Sequence, residues 1–188
     1  MTSRFLVLLF GLMLACSAHA ANPMVEIKTN MGSMTLELYP EKAPKTVENF
    51  LRYTKSGFYK GTVFHRVIQN FMIQGGGFDT NLQQKETLGS IRNEAGNGLK
   101  NEIYTIAMAR RGDPHSASSQ FFINAKDNNF LDFSAPTPQD FGYCVFGKVV
   151  KGTEVVDKIS AVHTGPGGPF PANVPEKPVI IEEVRLLP

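Results

Sequence analysis

Met24-Val25-Glu26-Ile27-Lys28-Thr29-Asn30-Met31-Gly32-Ser33-Met34-Thr35-Leu36-Glu37-Leu38 is the stretch that decides the fold. Val25, Ile27 and Thr29 alternate with polar partners, Asn30-Met31-Gly32 turns the chain, and Met34, Leu36 and Leu38 alternate on the return. A period of two puts each apolar set on one face, so residues 24–39 are predicted to form a β-hairpin. Working outward, Pro44 opens a helix whose Val47, Phe50 and Leu51 fall at i, i+3 and i+4, and Gly57 stops it. Further strands are predicted over 62–68, 71–75, 103–109, 120–124, 143–150 and 179–187. A short second helix is predicted over 153–160, with Thr153 as its cap and Val155, Val156 and Ile159 facing inward. Residues 76–102 are Gly- and Asn-rich and weakly periodic, and 132–142 contain Pro136 and Pro138, so both read as loops. Eight short strands and two helices without βαβ alternation predict a mainly β fold. The expected form is a closed eight-stranded antiparallel β-barrel capped by two α-helices, with 179–187 returning to pair with the first hairpin.

Composition narrows the function classes. The chain has 188 residues, with 19 Lys and Arg against 17 Asp and Glu, 42% hydrophobic and 19% charged residues. That suits one globular domain and argues against a nucleic-acid-binding surface or a disordered chain. Residues 1–20 read as a secretory signal peptide. Arg4 precedes the apolar run Phe5 to Ala15, and Ala18-His19-Ala20 offers small residues for cleavage after Ala20. The run is too short to span a bilayer, so no stable membrane anchor is expected after cleavage. Cys16 faintly resembles a lipoprotein attachment site, but Met13 stands where that motif usually has Leu. The domain is then 21–188; removing 20 of the 188 residues leaves 168, with Cys144 as the lone cysteine. Such a chain cannot staple itself with an intrachain disulfide, and an inert, apolar, buried thiol is expected in Tyr143-Cys144-Val145-Phe146.

Most catalytic patterns fail. Asp113, His115 and Ser119 supply triad residue types, but they are crowded into seven positions without a Gly-x-Ser-x-Gly turn. His65, His115 and His163 lack metal-ligand spacing, so neither metal nor cofactor is expected. Gly75-Gly76-Gly77 is followed by no Gly-Lys-Ser/Thr, and reads as a tight backbone turn rather than a phosphate loop. What remains is a set of apolar and hydrogen-bonding segments. Phe64-His65-Arg66 leads into Phe71-Met72-Ile73-Gln74-Gly75-Gly76; Ala107-Met108-Ala109 precedes Ser118-Ser119-Gln120-Phe121-Phe122-Ile123; Phe130-Leu131-Asp132 and Val145-Phe146-Gly147 follow. Gln74 and Gln120 stand out, because an amide in an apolar strand needs hydrogen-bond partners if it is buried.

Together these segments resemble the cyclophilin family of peptidyl-prolyl cis-trans isomerases, over essentially all of 24–187. The resemblance implies an eight-stranded barrel with two capping helices, rotation of X–Pro bonds, and proline-containing unfolded or exported polypeptides as substrates. It implies a catalytic role for Arg66 and a backbone-holding role for Gln74. Phe71, Met72, Phe122 and Leu131 resemble the walls of a proline pocket. Ala109 and Gln120 resemble its rim, with Arg110 beside them contributing through its main chain. Phe130 and Tyr143 stand where the eukaryotic pattern has Trp and His, and Arg110 replaces an Asn; weak cyclosporin binding follows from Phe130. With the signal peptide, the chain is similar to the periplasmic type of Gram-negative bacteria, expected to assist folding of exported proteins as a monomer. A second reading is a chaperone module that binds proline segments with little turnover, and a third is an eight-stranded small-ligand carrier, disfavoured by the helices.

Overall fold

In the computed structural model, which describes residues 21–188, the opening hairpin forms as β1 (Met24–Thr29) and β2 (Gly32–Leu38). Val25, Ile27, Met34, Leu36 and Leu38 are all fully buried, as their alternation requires. The predicted signal peptide and Cys16 lie outside the described residues. Helix α1 (Pro44–Lys55) carries Pro44 in its first turn, where a missing N–H costs nothing. Its N-cap, Ala43, has no side chain to offer the free backbone donors. The Glu94 carboxylate comes in from the 76–102 loop instead, accepting from the Lys45 N–H at 3.2 Å and the Thr46 N–H at 2.9 Å. A carboxylate there also complements the positive end of the helix. The loop is therefore fastened to the helix 48 residues upstream. Phe50 presents the buried face of α1 to the rings of Tyr59, Phe121 and Phe146, with centroids 5.2, 5.7 and 5.3 Å away. Burying such a ring contributes about 2–3 kcal/mol.

The remaining strands are β3 (Thr62–Val63), β4 (Arg66–Ile68), β5 (Met72–Gly75), β6 (Thr105–Met108), β7 (Phe121–Asn124) and β8 (Val145–Lys151). Helix α2 (Thr153–Ser160), β9 (Thr164–Gly167), β10 (Phe170–Pro175) and β11 (Ile180–Leu186) follow. The main sheet runs β3-β11-β1-β2-β8-β6-β7-β5-β4. The C-terminal strand pairs with the first hairpin as anticipated, Ile27 facing Val184.

Three expectations are corrected. The sheet is not a closed eight-stranded barrel but a strongly curled half-barrel of nine strands, open between β3 and β4. The predicted strand 62–68 breaks at Phe64-His65: its first piece pairs with β11 and its second with β5. At the break the Phe64 N–H turns to the Val179 carbonyl, 2.9 Å away, and the Phe64 ring enters the core. Second, β9 and β10 form a separate two-stranded ribbon in a segment with no predicted strand. Third, Gly152, not Thr153, precedes α2; its φ is +79° and a Cβ there would fall on the Ser33 carbonyl, so only glycine fits. The expected apolar positions of α2, Val155, Val156 and Ile159, are buried. Cys144 is buried as well, and that burial pushes its thiol up to about 11.

Candidate active site

Strand alternation builds the site on the outer face of the sheet. Val67, Ile73, Ile106, Phe121, Ile123 and Phe146 point into the main core, so the residues between them point the other way. The strand register then lines those outward residues up. Arg66 faces Gln74, Gln74 faces Phe122, Ala107 faces Phe122, and Ala107 faces Val145. One cross-strand row thus runs from a guanidinium, through an amide, to an apolar floor.

The floor is a second apolar cluster, separate from the main core. Met72, Ala107, Phe122 and Val145 are buried in it, with Phe71, Ala109, Leu131 and Tyr143 packed partly exposed around them. The Tyr143 ring meets Phe122 edge-on, with centroids 5.6 Å apart. Phe130 stacks on Phe71 at 5.7 Å and leaves 75% of its surface exposed, so it forms a lip rather than a wall. All four predicted pocket walls, Phe71, Met72, Phe122 and Leu131, are therefore brought together.

The polar end is a chain of amides. Arg66 Nη1 donates to Gln74 Oε1 at 3.2 Å, and Gln74 Nε2 donates to Gln120 Oε1 at 3.0 Å. Other N–H groups of Arg66 have no partner among the described residues and remain available to a ligand. The Ala109 N–H donates to the Gln120 carbonyl at 3.0 Å, tying the two rim residues together. Beyond Gln120 a cleft of about 360 Å³ continues past Arg111, Ser116 and Ser118.

Arg110 contributes its side chain as well as its main chain. Its Nε donates to the Gly142 carbonyl and its Nη1 to the Arg111 carbonyl, both at 3.0 Å, while the guanidinium lies 4.7 Å from the Tyr143 ring. It thereby ties the 132–142 loop to the pocket's Tyr143 wall. The loop is further closed on itself by Thr137 Oγ1 donating to Asp140 Oδ2 at 2.7 Å.

Two neighbours escaped the sequence reading. His65 is buried next to Arg66, with its ring 4.5 Å from that of Phe78 and 5.4 Å from that of Phe170. Its Nδ1 is buried without a partner among the described residues. Burial lowers its imidazole from 6.5 to about 4, opposed by the neighbouring Val63 backbone and assisted by the Arg66 charge. Only adjacency to Arg66 signalled it. Phe170 had no signal, because it arrives on the unexpected β10. The triad residue types do not form a relay: His115 Nδ1 accepts the Asn93 N–H at 3.2 Å, and Ser119 Oγ is buried without a partner among the described residues.

An apolar floor edged by a guanidinium, which keeps N–H groups free beyond its bond to Gln74, and by a pair of amides has the make-up of a site for a peptide segment carrying a small apolar ring. The sequence profile of the family described as cyclophilin type peptidyl-prolyl cis-trans isomerase matches residues 24–186. The chain belongs to that family. It is 56% identical over 163 residues to a peptidyl-prolyl cis-trans isomerase of Streptomyces antibioticus, covering 87% of this chain and 98% of that one. Peptidyl-prolyl cis-trans isomerase B of Escherichia coli K12 is 55% identical over 163 residues, covering 87% and 99%. Among solved structures, a cyclophilin type peptidyl-prolyl cis-trans isomerase of Cryptosporidium parvum superimposes with a TM-score of 0.71 at 28% identity, covering 89% of this chain and 98% of that one.

Proposed function

We propose that this peptidyl-prolyl cis-trans isomerase seats the proline ring of its substrate against Met72, Phe122 and Leu131 and aims the Arg66 guanidinium at the proline nitrogen. The observation that carries the assignment is the single outward row Arg66–Gln74–Phe122, which sets a fixed positive donor beside an apolar floor. An X–Pro amide is held planar by resonance behind a barrier of about 18–20 kcal/mol. Rotation breaks no bond, so the reaction requires no nucleophile, base or metal. As the amide twists, the nitrogen loses conjugation and becomes a better hydrogen-bond acceptor. A guanidinium placed there stabilises the twisted state more than the planar one, which is the condition for catalysis. Gln74 holds Arg66 through its Oε1 and, together with Gln120 and Ala109, steadies the substrate backbone while the preceding carbonyl swings. Raising an uncatalysed rate of order 10⁻² s⁻¹ to between 10 and 10³ s⁻¹ needs about 4–7 kcal/mol. One charge-assisted hydrogen bond and fixed orientation supply that scale.

Exchange NMR of a short X–Pro peptide tests the assignment: line broadening and exchange cross-peaks are expected at catalytic protein concentrations. Binding shifts without acceleration would move the chain to the class of proline-segment binders. The reading extends to place. Arg4, the apolar run to Ala15 and Ala18-His19-Ala20 support export to the periplasm and a role in folding exported polypeptides there. The expected product is a monomer beginning at Ala21, found by intact mass and light scattering of the periplasmic fraction; full-length chain in the cytoplasm would refute it.

A further inference from the structure

β5 ends at Gly75, which pairs with Phe121, and the same register carried on would set Gly76 opposite Gln120, two residues past the Gln74–Phe122 pair, with Gly77 next in the chain. The Gln120 side chain lies flat against Gly77. A Cβ built on Gly77 would stand 2.7 Å from Gln120 Cδ and 2.8 Å from Gln120 Nε2, and closer still to Cγ. These are contacts that a methyl group does not make. The backbone cannot retreat to relieve them. The Gly77 carbonyl accepts the Lys85 N–H at 2.9 Å, and Gly76 is wedged with φ +78° against Phe121 and Tyr59, whose rings a Cβ would meet at 2.8 and 2.9 Å. Gly77 itself has no left-handed φ, so alanine is conformationally acceptable there, and the three nearest obstacles to its methyl all belong to the Gln120 side chain.

We propose that Gly77 is a positioning residue for the rim: the absent side chain lets the Gln120 amide settle within hydrogen-bond reach of Gln74, completing the chain that ends on Arg66. A methyl at 77 swings Gln120 off that position, and Gln74 Nε2 loses its acceptor. Gln74 is then free to rotate, and the guanidinium it orients is less well aimed. This rests on the assignment of Gln120 to the substrate rim.

The test is a cycle of four proteins: wild type, Gly77→Ala, Gln120→Ala and the double variant, each measured for kcat/KM on an X–Pro peptide and for melting temperature. Gly77→Ala is expected to lower kcat/KM about three- to tenfold, the range of one lost hydrogen bond. Gln120→Ala should lose a similar factor, and adding Gly77→Ala to it should lose nothing more, because the methyl then has no Cγ to meet. The Gln74 side-chain amide proton signals in Gly77→Ala should move to where Gln120→Ala puts them, which a general loosening of the fold would not do. If Gly77→Ala melts low, the double variant should recover; a melting temperature that stays low overturns the proposal. So does a Gly77→Ala loss that persists in full without Gln120, or a wild-type rate in Gly77→Ala beside a slow Gln120→Ala. A wild-type rate in Gln120→Ala instead removes Gln120 from the rim and takes this proposal with it.

Discussion

Replacing Arg66 with alanine is expected to lower kcat on X–Pro peptides by about 10²–10³-fold, the scale of deleting one preorganised donor from a transition state. KM should change little, because the apolar cluster of Met72, Phe122, Val145 and Ala107 is separate from the guanidinium and stays packed. Stability should stay within about 0.5 kcal/mol of wild type, since Arg66 is only part-buried and its one partner among the described residues, Gln74, can take water instead. Arg66→Lys separates charge from geometry. An ammonium keeps the charge but lacks the planar fork that lets one guanidinium bind Gln74 and substrate together, so about tenfold recovery over alanine is expected, not full activity. Single-turnover exchange measurements on the three proteins decide it. A folded Arg66→Ala that turns over at near the wild-type rate would remove Arg66 from the mechanism.

The site was legible because strand alternation is legible. Once residues 71–75 and 120–124 were read as strands, Met72, Gln74, Gln120 and Phe122 had to share an outer face, since Ile73 and Ile123 claim the inner one. What alternation cannot give is a break inside a continuous apolar run. Val63, Phe64, His65 and Val67 are all buried, so nothing in the pattern marks the point at which the chain leaves β11 for β5, and the half-barrel read as a closed one. The β9–β10 ribbon was hidden for the opposite reason. Gly165-Pro166-Gly167-Gly168-Pro169 has no alternation to read, and the ribbon's register, which sets Val174 opposite Gly165 and Pro175 opposite Thr164, leaves no period-two signal in that strand. Strand ends were overrun where backbone geometry intervenes. The predicted 103–109 begins only at Thr105, because Tyr104 sits at φ +66°. Glu94 over α1 and Gly77 under Gln120 are contacts between segments 48 and 43 residues apart in sequence, outside the reach of any local pattern.

The break that hid the open seam also sets the protein's expected response to acid. His65 is held between Phe78 and Phe170 with Nδ1 unpartnered, beside the Arg66 charge and in front of a cavity that Glu176 also lines. Burial puts its folded-state pKa at about 4, against 6.5 when unfolded. As the pH falls through 6.5, the unfolded chain takes up the proton first, so the stability associated with neutral His65 is complete above 6.5. It drains away between 6.5 and 4, and below 4 both states carry the proton. At 1.36 kcal/mol per unit the loss by pH 4 is about 3 kcal/mol. His65→Phe keeps a ring in the aromatic site and removes the proton, so the difference between the two proteins isolates this group from carboxylates that titrate in both. Urea unfolding at pH 7, 5.5 and 4 should show wild type losing about 3 kcal/mol more than His65→Phe, most of it between 5.5 and 4. Parallel losses in the two proteins would mean that the imidazole finds a partner or water on protonation, and that the seam is looser than its packing indicates. A divergence of the expected size would instead make His65 the residue through which acid opens the sheet beside Arg66. Loss of activity in that range should then follow unfolding of the seam, with the activity and unfolding curves of each protein moving together.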